Sequence, residues 1–427
     1  MVKTTIAPRF STLEDWLAWQ ETLHPSEIEL GLERVRQVFR CLHDGIPPFV
    51  VITVAGTNGK GSSVAMLDAI LRAAGYRVGA YTSPHLVRYN ERICLDGEPV
   101  EDATLVASFD RIDRARDGVS LTYFEFATLA ALDIFWRARP EVVVLEVGMG
   151  GRLDAVNILD PDVALITAIG LDHCEWLGED RESIAVEKAG IMRPGRPVIF
   201  SGADMPATIA RQAQQAGARL VLPGADFGYT RDDTGWQWRY ADRPPQNLPL
   251  PALPGEHQLQ NAAGVLAVLH QLADRRPIPI QAIRAGLLGV KLAGRFQQVP
   301  GEVSWVLDVA HNPDGVRQLA AQLQATAGAG RTLAVFGMLR DKDVAAAIQL
   351  LQPQVDAWFV TPLPSSRSLD GPALAHMLDA AEVTADVQIR DDVAAACDAA
   401  RRAARPGDRI LVCGSFLAVA GALAHGI

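Results

Sequence analysis

The segment Val50-Val51-Ile52-Thr53-Val54-Ala55-Gly56-Thr57-Asn58-Gly59-Lys60-Gly61-Ser62-Ser63 carries the clearest structural signal in the chain. A β-branched strand leads into a glycine-rich loop with one lysine, and the apolar periodicity of residues 64–71 predicts a following helix. Glycines let backbone N–H groups turn toward an anion, and the helix N-terminus and Lys60 add positive charge. The strict pattern G-x-x-x-x-G-K-[ST] is not met, because Val54 replaces the first glycine and Gly61 follows the lysine. We predict a nucleotide-phosphate site, with a tight turn and an incidental lysine as the alternative.

The composition is typical of a globular enzyme from a reducing compartment. Of the 427 residues, 49% are apolar, enough for two or three domains with their own cores. The net charge of −10 argues against nucleic acid and anionic membranes as main partners. The five cysteines are odd in number and lack CxxC spacing, which indicates reduced thiols. The N-terminal segment lacks an apolar signal-peptide run, so we expect a cytoplasmic protein.

Apolar strands alternate with helical periodicities, which predicts an α/β fold with a mostly parallel sheet covered by helices on both faces. Tryptophans and prolines between Phe227 and Pro254 interrupt the rhythm and indicate a small antiparallel excursion with an irregular loop. We divide the chain into residues 1–295, a P-loop-type domain, and residues 296–427, a smaller Rossmann-like α/β domain, with a ligand cleft between them. Strands are predicted at residues 50–54, 77–82, 142–147, 163–168, 197–201, 304–309, 332–337, 357–361 and 409–413, and helices at 181–189 and 257–272.

Three candidate metal ligands lie in or just after predicted strands of the first domain. Glu146 lies inside the apolar strand 142–147, where a buried carboxylate needs a partner, a proton or a cation. A salt bridge to Arg152 or to another neighbouring residue is one interpretation, and a Mg²⁺ ligand is the other, since Mg²⁺ prefers oxygen donors. Ser83 either caps a helix or supplies the hydroxyl that the phosphate loop lacks. His173 follows the next strand, where a structural role and a ligand role are equally favoured.

Two further positions have both an ordinary and a functional interpretation. Lys188 would by default be a surface lysine near a helix C-terminus, where the helix dipole favours a cation. Asp308 and His311 end a strand of the second domain and fit an Asx-type turn with a helix entry. Their place at the proposed cleft favours contacts to substrate or phosphate. We also expect Lys60 to be exposed, so that its loss should hardly affect stability.

Taken together, the motifs resemble one family. The chain is similar to the bacterial bifunctional folylpolyglutamate synthases/dihydrofolate synthases, which are relatives of the Mur ligases, and the resemblance spans essentially its whole length. The segments that carry it occur in the expected order: Gly56-Thr57-Asn58-Gly59-Lys60-Gly61-Ser62, Thr82-Ser83-Pro84-His85-Leu86, Leu121-Thr122-Tyr123-Phe124-Glu125, Glu146-Val147-Gly148-Met149-Gly150-Gly151-Arg152-Leu153-Asp154-Ala155, Gly170-Leu171-Asp172-His173, Glu187-Lys188-Ala189-Gly190 and Asp308-Val309-Ala310-His311-Asn312-Pro313.

The resemblance implies an ATP-dependent ligase. ATP would phosphorylate a substrate carboxylate, and L-glutamate would attack the acyl phosphate to form an amide. The acceptors would be dihydropteroate and the glutamyl tail of reduced folates, with two Mg²⁺ ions as cofactors. The family also suggests a monomer.

The resemblance further implies roles for individual residues. Lys60, Lys188 and His311 would be catalytic, with Lys188 modified to a carbamate and His311 near the incoming glutamate. The implied magnesium ligands are Ser83, Glu146, His173 and the carbamate of Lys188. The implied ATP contacts are Thr57, Asn58, Gly59, Lys60, Gly61, Ser62, Asn261, Arg295 and Asp308. The implied folate-binding residues are Thr22, Leu23, His24, Pro25, Thr122, Tyr123, Phe124, Glu125, Leu153, Asp154 and Ala155.

Two other functions compete with this one. A Mur-type ligase that adds amino acids to a UDP-linked muropeptide shares the phosphate loop, the carboxylate and the lysine. Such ligases normally carry an additional N-terminal domain, for which we expect no room before the loop. A non-enzymatic nucleotide-switch protein is the second alternative, but it does not need a second α/β domain with Asp308 and His311.

Overall fold

The first sheet is built around the predicted phosphate-loop strand. The structure, a computed structural model, describes residues 8–232, 235–241 and 243–427. In this part of the chain the strand order is β4-β3-β2-β5-β1-β6-β7-β8. Strands β2, β5, β1, β6, β7 and β8 run parallel, and β3 and β4 form an antiparallel edge. The strands are β1 (Val50–Ala55), β2 (Val78–Tyr81), β3 (Ile93–Leu95), β4 (Glu98–Pro99), β5 (Val142–Glu146), β6 (Val163–Ile166), β7 (Pro197–Phe200) and β8 (Arg219–Val221).

Helices cover both faces of this sheet, as predicted. One apolar cluster joins α1, α2, α4 and α5 to one face, and a second joins α3, α9 and α10 to the other. The capping pattern of Thr122 and Glu125 fixes the start of α5. These helices are α1 (Leu13–Leu23), α2 (Glu33–Leu42), α3 (Lys60–Ala73), α4 (Asp102–Ala115), α5 (Tyr123–Ala138), α6 (Cys174–Leu177), α7 (Arg181–Ala189), α8 (Ala207–Ala216), α9 (Glu256–Gln271) and α10 (Ile280–Gly289).

The predicted antiparallel excursion is a separate small sheet, in the order β11-β10-β9. Strand β10 (Trp236–Tyr240) pairs with both β9 (Phe227–Arg231) and β11 (Gln246–Leu248). Its alternate tryptophans, Trp236 and Trp238, are buried in the apolar cluster that contains α9. The excursion therefore packs on the first domain, next to the helix that approaches the phosphate loop.

The second sheet has the order β12-β13-β17-β14-β15-β16, and all pairs except β12–β13 are parallel. Apolar clusters fill both of its faces, so the second βαβ series forms the predicted α/β layer structure. Its strands are β12 (Gln297–Val299), β13 (Ser304–Leu307), β14 (Thr332–Phe336), β15 (Ala357–Val360), β16 (Asp386–Ile389) and β17 (Arg409–Cys413). Its helices are α11 (Pro313–Ala325), α12 (Val344–Leu351), α13 (Gly371–Ala380), α14 (Val393–Ala403) and α15 (Phe416–Ala424).

The strand order places the ligand-binding edge of the first sheet. After β1 the chain moves to β2 and β5 on one side, and it then crosses to β6 and β7 on the other. Ligands of such sheets bind at the carboxyl ends of the strands beside this reversal. None of the helices in the described part of the chain is long and apolar enough to cross a membrane.

Candidate active site

A cleft of about 560 Å³ lies at this edge, between the carboxyl ends of the two sheets. The first domain contributes the phosphate loop and the loops after β2, β5 and β6. The second domain contributes the loops after β13 and β17. The cleft is lined by predicted residues from every part of the proposed site except the folate segments: Thr57, Asn58, Gly59, Lys60, Gly61, Ser62, Ser83, Glu146, His173, Lys188, Asn261, Arg295, Asp308 and His311.

The phosphate loop has the strained geometry that its glycines suggest. Gly59 has a φ of 87°, and a Cβ atom there would lie 2.5 Å from Oδ1 of Asn261, so only glycine fits. Lys60 begins α3, and its Nζ donates hydrogen bonds to the carbonyls of Gly56 at 3.0 Å and Thr57 at 3.1 Å. The expectation of an exposed loop lysine was wrong, since Lys60 is half-buried and closes the loop on itself.

Side chains on both sides hold this loop in place. Thr57 Oγ1 donates to the carbonyl of Gly170 at 3.0 Å and accepts the N–H of Gly170 at 3.1 Å. On the other side, Gln258 donates to Ser62 Oγ at 3.2 Å and accepts from Asn261 at 3.1 Å. The side chains of Thr57, Ser62 and Asn261 therefore position the loop, while the first N–H groups of α3 lack intrahelical partners and are available to an anion.

Among the residues that the structure describes, Glu146 is a buried carboxylate without a cation in ion-pair contact. It is 5% exposed, and the N–H of Ser83 donates to its Oε2 at 3.4 Å. The predicted alternative of a salt bridge to Arg152 is wrong, because Arg152 pairs with Glu187 at 2.8 Å. Burial raises the pKa of Glu146 to about 7, and the charges of Lys60 and Arg295 only partly oppose this rise. The site therefore favours a bound cation or a proton at this position.

Ser83 and His173 supply two more donors from neighbouring loops. Ser83 does not cap a helix, since the next helical turn begins only at Tyr89. His173 has a φ of 53°, and burial lowers its pKa to about 4, which keeps the imidazole neutral, as a metal ligand must be. Across residues 8–232, 235–241 and 243–427, no group of three His, Cys, Asp or Glu side chains forms a metal cluster. The candidate donor set is instead a hydroxyl, a carboxylate and an imidazole, a mixture that suits Mg²⁺.

Lys188 is not the surface lysine of the ordinary interpretation. It is 3% exposed, and its Nζ donates to the carbonyl of Gly56 at 3.0 Å. Lys60 donates to the same oxygen at 3.0 Å. Burial, followed by the charge of Lys60, lowers the pKa of Lys188 to about 7. Two amines thus converge on one carbonyl oxygen, and one of them is poised to be neutral.

Asp308 of the second domain and Arg295 at the domain boundary lie near the start of α3. The predicted Asx-type turn is present, because Asp308 accepts the N–H of Ala310 at 2.8 Å, and its other oxygen accepts the N–H of Phe296 at 2.8 Å. A Cβ atom at Gly61 would lie 3.6 Å from Nη2 of Arg295 and 3.8 Å from Oε2 of Glu146. Arg295, the last residue of the first domain, and Glu146 therefore both lie beside the first turn of α3.

Asp172 joins the two domains in a way that the sequence did not reveal. It accepts from Lys342 Nζ at 2.5 Å and from Asn312 Nδ2 at 3.1 Å, and His311 Nε2 lies 3.3 Å away. Burial alone would raise the pKa of Asp172, but the hydrogen bond and charge of His311 and the charge of Lys342 hold it well below the ordinary range. The amides of Asn312 and Asn58 also exchange two hydrogen bonds of 3.0 Å. His311 therefore occupies the junction itself.

The predicted folate segments lie together behind one wall of the cleft. The N–H of Gly31, just after the Thr22–Pro25 segment, donates to the carbonyl of Leu153 at 3.2 Å. Ser120 Oγ donates to the carbonyl of Leu23 at 3.0 Å, which ties the same segment to the start of α5. The side chain of Phe124 covers Gly148, where a Cβ atom would lie 2.5 Å from its ring. The three segments are neighbours, although their eleven predicted residues do not line the cleft in this conformation.

Several polar groups in these segments already have protein partners. Glu125 accepts the N–H of Thr122 at 2.8 Å and pairs with Arg34 at 2.9 Å. Asp154 accepts one backbone N–H on each oxygen, from Met149 at 2.9 Å and Val156 at 3.0 Å. Burial raises its pKa to about 6 despite these bonds. The folate roles of these residues remain predictions.

Other residues that line the cleft were not predicted from the sequence. Arg92 and His85 line it beyond Ser83, and His257 and Gln258 line it at the start of α9. Burial, then the charge of Arg295, lowers the pKa of His257 to about 4. His85 lies in a quoted motif, but nothing in the sequence distinguishes Arg92 from other arginines.

Comparison with known proteins identifies two matching domains and close relatives. A family model of the Mur ligase middle domain matches residues 54–269, and one of the Mur ligase glutamate ligase domain matches residues 294–416. The dihydrofolate synthase/folylpolyglutamate synthase of Escherichia coli (strain K12) is 46% identical over 96% of this chain and 94% of that protein. The protein of the same name from Haemophilus influenzae is 39% identical, with 96% of each covered.

Two solved structures have the same fold throughout. E. coli FolC in complex with DHPP and ADP has a TM-score of 0.92 at 45% identity and covers 98% of each chain. The bifunctional folylpolyglutamate synthase/dihydrofolate synthase from Yersinia pestis, complexed with AMPPNP and Mn ion, has a TM-score of 0.89 at 44% identity, with 98% of this chain and 99% of that one covered.

The fold, the matched domains and the cleft define an ATP-dependent ligase of the Mur ligase type. Within that class, the chain belongs to the dihydrofolate synthase/folylpolyglutamate synthase family. The predicted family and fold class are thereby confirmed.

Proposed function

We propose that this protein joins L-glutamate to dihydropteroate and to the glutamyl tail of reduced folates, at the expense of ATP. A carboxylate oxygen of the acceptor attacks the γ-phosphorus, and ADP leaves. The amino nitrogen of glutamate then attacks the acyl carbon, and phosphate leaves with one former carboxylate oxygen. The main observation in support is the cleft itself, in which a phosphate loop, an unpaired buried carboxylate and residues of the second domain meet. The named relatives favour this reaction over a muropeptide ligase or a nucleotide switch.

The phosphates of ATP would bind at the start of α3. The unpaired N–H groups there and Lys60 are the local positive charge that a polyanion needs in a chain of net charge −10. Arg295, from the other side, would meet the nucleotide between the domains, with Asn261 and Asp308 as further ATP contacts. Arg295 lies 5.1 Å from the ring of Phe416, which fixes its direction.

Ser83, Glu146 and His173 would hold Mg²⁺ next to these phosphates. The fit rests on Glu146, whose burial without a cationic partner is costly unless a cation binds. When bound, Mg²⁺ supplies positive charge that neutralises the phosphates during transfer. Solved structures of the family contain Mn with AMPPNP. Replacing Glu146 or His173 by alanine should raise the Mg²⁺ concentration needed for activity. Because Arg152 pairs with Glu187, Arg152→Ala should leave that concentration unchanged.

Lys188 would act as a carbamate, with a second Mg²⁺ as its partner. Burial and the lowered pKa provide the neutral amine that reacts with CO₂. The carbamate keeps one N–H, so the hydrogen bond to Gly56 can persist. Its negative charge would also remove the conflict between two cations on one carbonyl oxygen and would pair with Lys60.

The second domain would exclude water and place glutamate. An acyl phosphate hydrolyses unless the site is closed, and the Asp172 junction holds the domains together around the cleft. His311 lies at this junction and would be near the incoming glutamate.

We propose a monomer with its domain boundary between residues 295 and 296. The five free cysteines support a cytoplasmic location.

Oxygen labelling tests the proposed chemistry. Dihydropteroate labelled with ¹⁸O in its carboxylate should give phosphate that carries one ¹⁸O atom for each amide formed. Unlabelled phosphate would contradict the acyl phosphate route. ADP release that does not depend on an acceptor and glutamate would contradict the ligase function.

A further inference from the structure

Arg92 is a buried cation that no carboxylate of the described chain neutralises. It is 8% exposed and lines the cleft. Its Nε donates to Nδ1 of His85 at 2.8 Å. Its guanidinium lies 5.4 Å from the ring of Tyr89 and 5.5 Å from the ring of Tyr123. The residue is therefore fixed by two rings and a histidine, while its terminal nitrogens, without a hydrogen-bond partner among the described residues, remain available to a ligand.

The topology places Arg92 at the same edge of the sheet as the reacting groups. Strand β3 runs antiparallel to β2, and Ile93 pairs with Tyr81, so Arg92 lies beside the carboxyl end of β2. The strand order β3-β2-β5-β1 gives a row from Arg92 past Ser83 and Glu146 to the phosphate loop. Adjacent strands are about 4.8 Å apart, so the row spans about 14 Å, and Arg92 is one strand away from Ser83 and two from Glu146.

We propose that Arg92 binds the α-carboxylate of the terminal glutamyl residue of the folate acceptor, while the γ-carboxylate of that residue reacts. This inference rests on the proposed function. Arginine binds carboxylates through paired N–H groups, and Arg92 has no carboxylate partner within the described part of the chain. Dihydropteroate has a single carboxylate, the one that reacts, so it offers Arg92 no second anion. Arg92 is therefore a specificity-determining residue for tail extension and is not required for glutamylation of dihydropteroate.

Steady-state kinetics with the two acceptors test the proposal. Arg92→Gln should raise the KM for tetrahydrofolate by roughly 10- to 100-fold, the value of a charge-assisted hydrogen bond, and should change the KM for dihydropteroate by less than about threefold. Arg92→Lys keeps the positive charge but loses the paired N–H groups of the guanidinium. Its KM for tetrahydrofolate should lie between those of the wild type and Arg92→Gln. Arg116→Gln is the matched control, because Arg116 stacks on Trp19 at 5.2 Å but pairs with Asp113 at 2.8 Å. It should leave the ratio of the two KM values unchanged.

A substrate analogue tests the same contact without a mutation. Tetrahydrofolate with its α-carboxylate converted to an amide should be as poor an acceptor for the wild-type enzyme as tetrahydrofolate is for Arg92→Gln. Arg92→Gln should have the same KM for the amide analogue as for tetrahydrofolate.

Three results would overturn the inference. Equal losses with both acceptors would assign Arg92 to the reacting carboxylate or to the fold. A raised KM for glutamate with both acceptors would assign it to the incoming amino acid. Full use of the amide analogue by the wild-type enzyme would remove the α-carboxylate contact. A wild-type enzyme that forms no product with either acceptor would instead contradict the proposed function.

Discussion

Replacement of Glu146 by glutamine should stabilise the metal-free protein at neutral pH, because it removes a buried charge. The pKa of Glu146 is raised by burial from 4.5 to about 7. Below the lower value the group is protonated in the folded and unfolded states alike. As the pH rises, the unfolded chain ionises first, so the folded protein loses stability, by about 3 kcal/mol once the pH exceeds the folded pKa. Glutamine cannot ionise and lacks this loss.

Urea denaturation in the presence of EDTA measures the effect. At each pH, the unfolding free energy of the wild type is subtracted from that of Glu146→Gln. This difference should increase by about 3 kcal/mol between about pH 4.5 and about pH 8. Added Mg²⁺ should then stabilise the wild type more than the variant, since a ligand of the folded state raises stability by mass action.

Asp133→Asn is the control for this pH dependence. Burial alone would raise the pKa of Asp133, but hydrogen bonds from His43, Arg111 and Ser108 hold it below the ordinary range. Its stabilising effect is therefore lost only in acid, and the difference between Asp133→Asn and the wild type should be flat over the same pH range. A flat difference for Glu146→Gln as well, or a variant less stable than the wild type at neutral pH without metal, would refute the reasoning.

Three other substitutions test the remaining parts of the site. Lys60→Ala should lower turnover at least about 10³-fold, because transition-state charge loses its partner. Its thermal unfolding should show a lower Tm, since the carbonyl of Thr57 loses its Lys60 donor and that of Gly56 keeps only Lys188. Near-normal turnover would remove the phosphate loop from the mechanism. Lys188→Ala should be nearly inactive in the ligation assay, and acetate or formate should partly restore its activity. Lys188→Arg should be inactive with or without these carboxylates. Full activity of the Arg variant would exclude the carbamate. Asp172→Asn should weaken the contact between the domains by about 3 kcal/mol, the cost of breaking a buried ion pair. Calorimetry should then resolve two unfolding transitions for the variant where the wild type has one. A single unchanged transition would contradict this role of Asp172.

The sequence predicted the central parallel strands and helices on both faces of the sheet, because buried β-branched runs and apolar periodicity are local signals. It missed β3, β4, β8, β12 and β16, which are short or half-exposed strands at or next to a sheet edge, and their pairing depends on their neighbours. Predicted strands such as 163–168 ended one or two residues late, because the chain turns there into the loops of the site. Edge strands and strand ends are defined by tertiary contacts that no local pattern encodes.

The site was predictable where one motif carries one function, and less so where distant parts of the chain meet. Glu146 was recognised because a carboxylate in an apolar strand is costly. The burial of Lys188 and the true partner of Arg152 depend on how α7 packs against the loops after β1 and β5. Lys342 at the Asp172 junction comes from 170 residues further along the chain, and its own segment carries no signal.

The measurement that tests the central claim most directly is product identification by mass spectrometry. The purified protein is incubated with ATP, Mg²⁺ and L-glutamate, together with either dihydropteroate or tetrahydrofolate. We predict that each acceptor gains one glutamyl residue and that one ADP is released for each amide formed. Absence of a glutamylated product with both acceptors, or ATP hydrolysis at the same rate without acceptor and glutamate, would contradict the account.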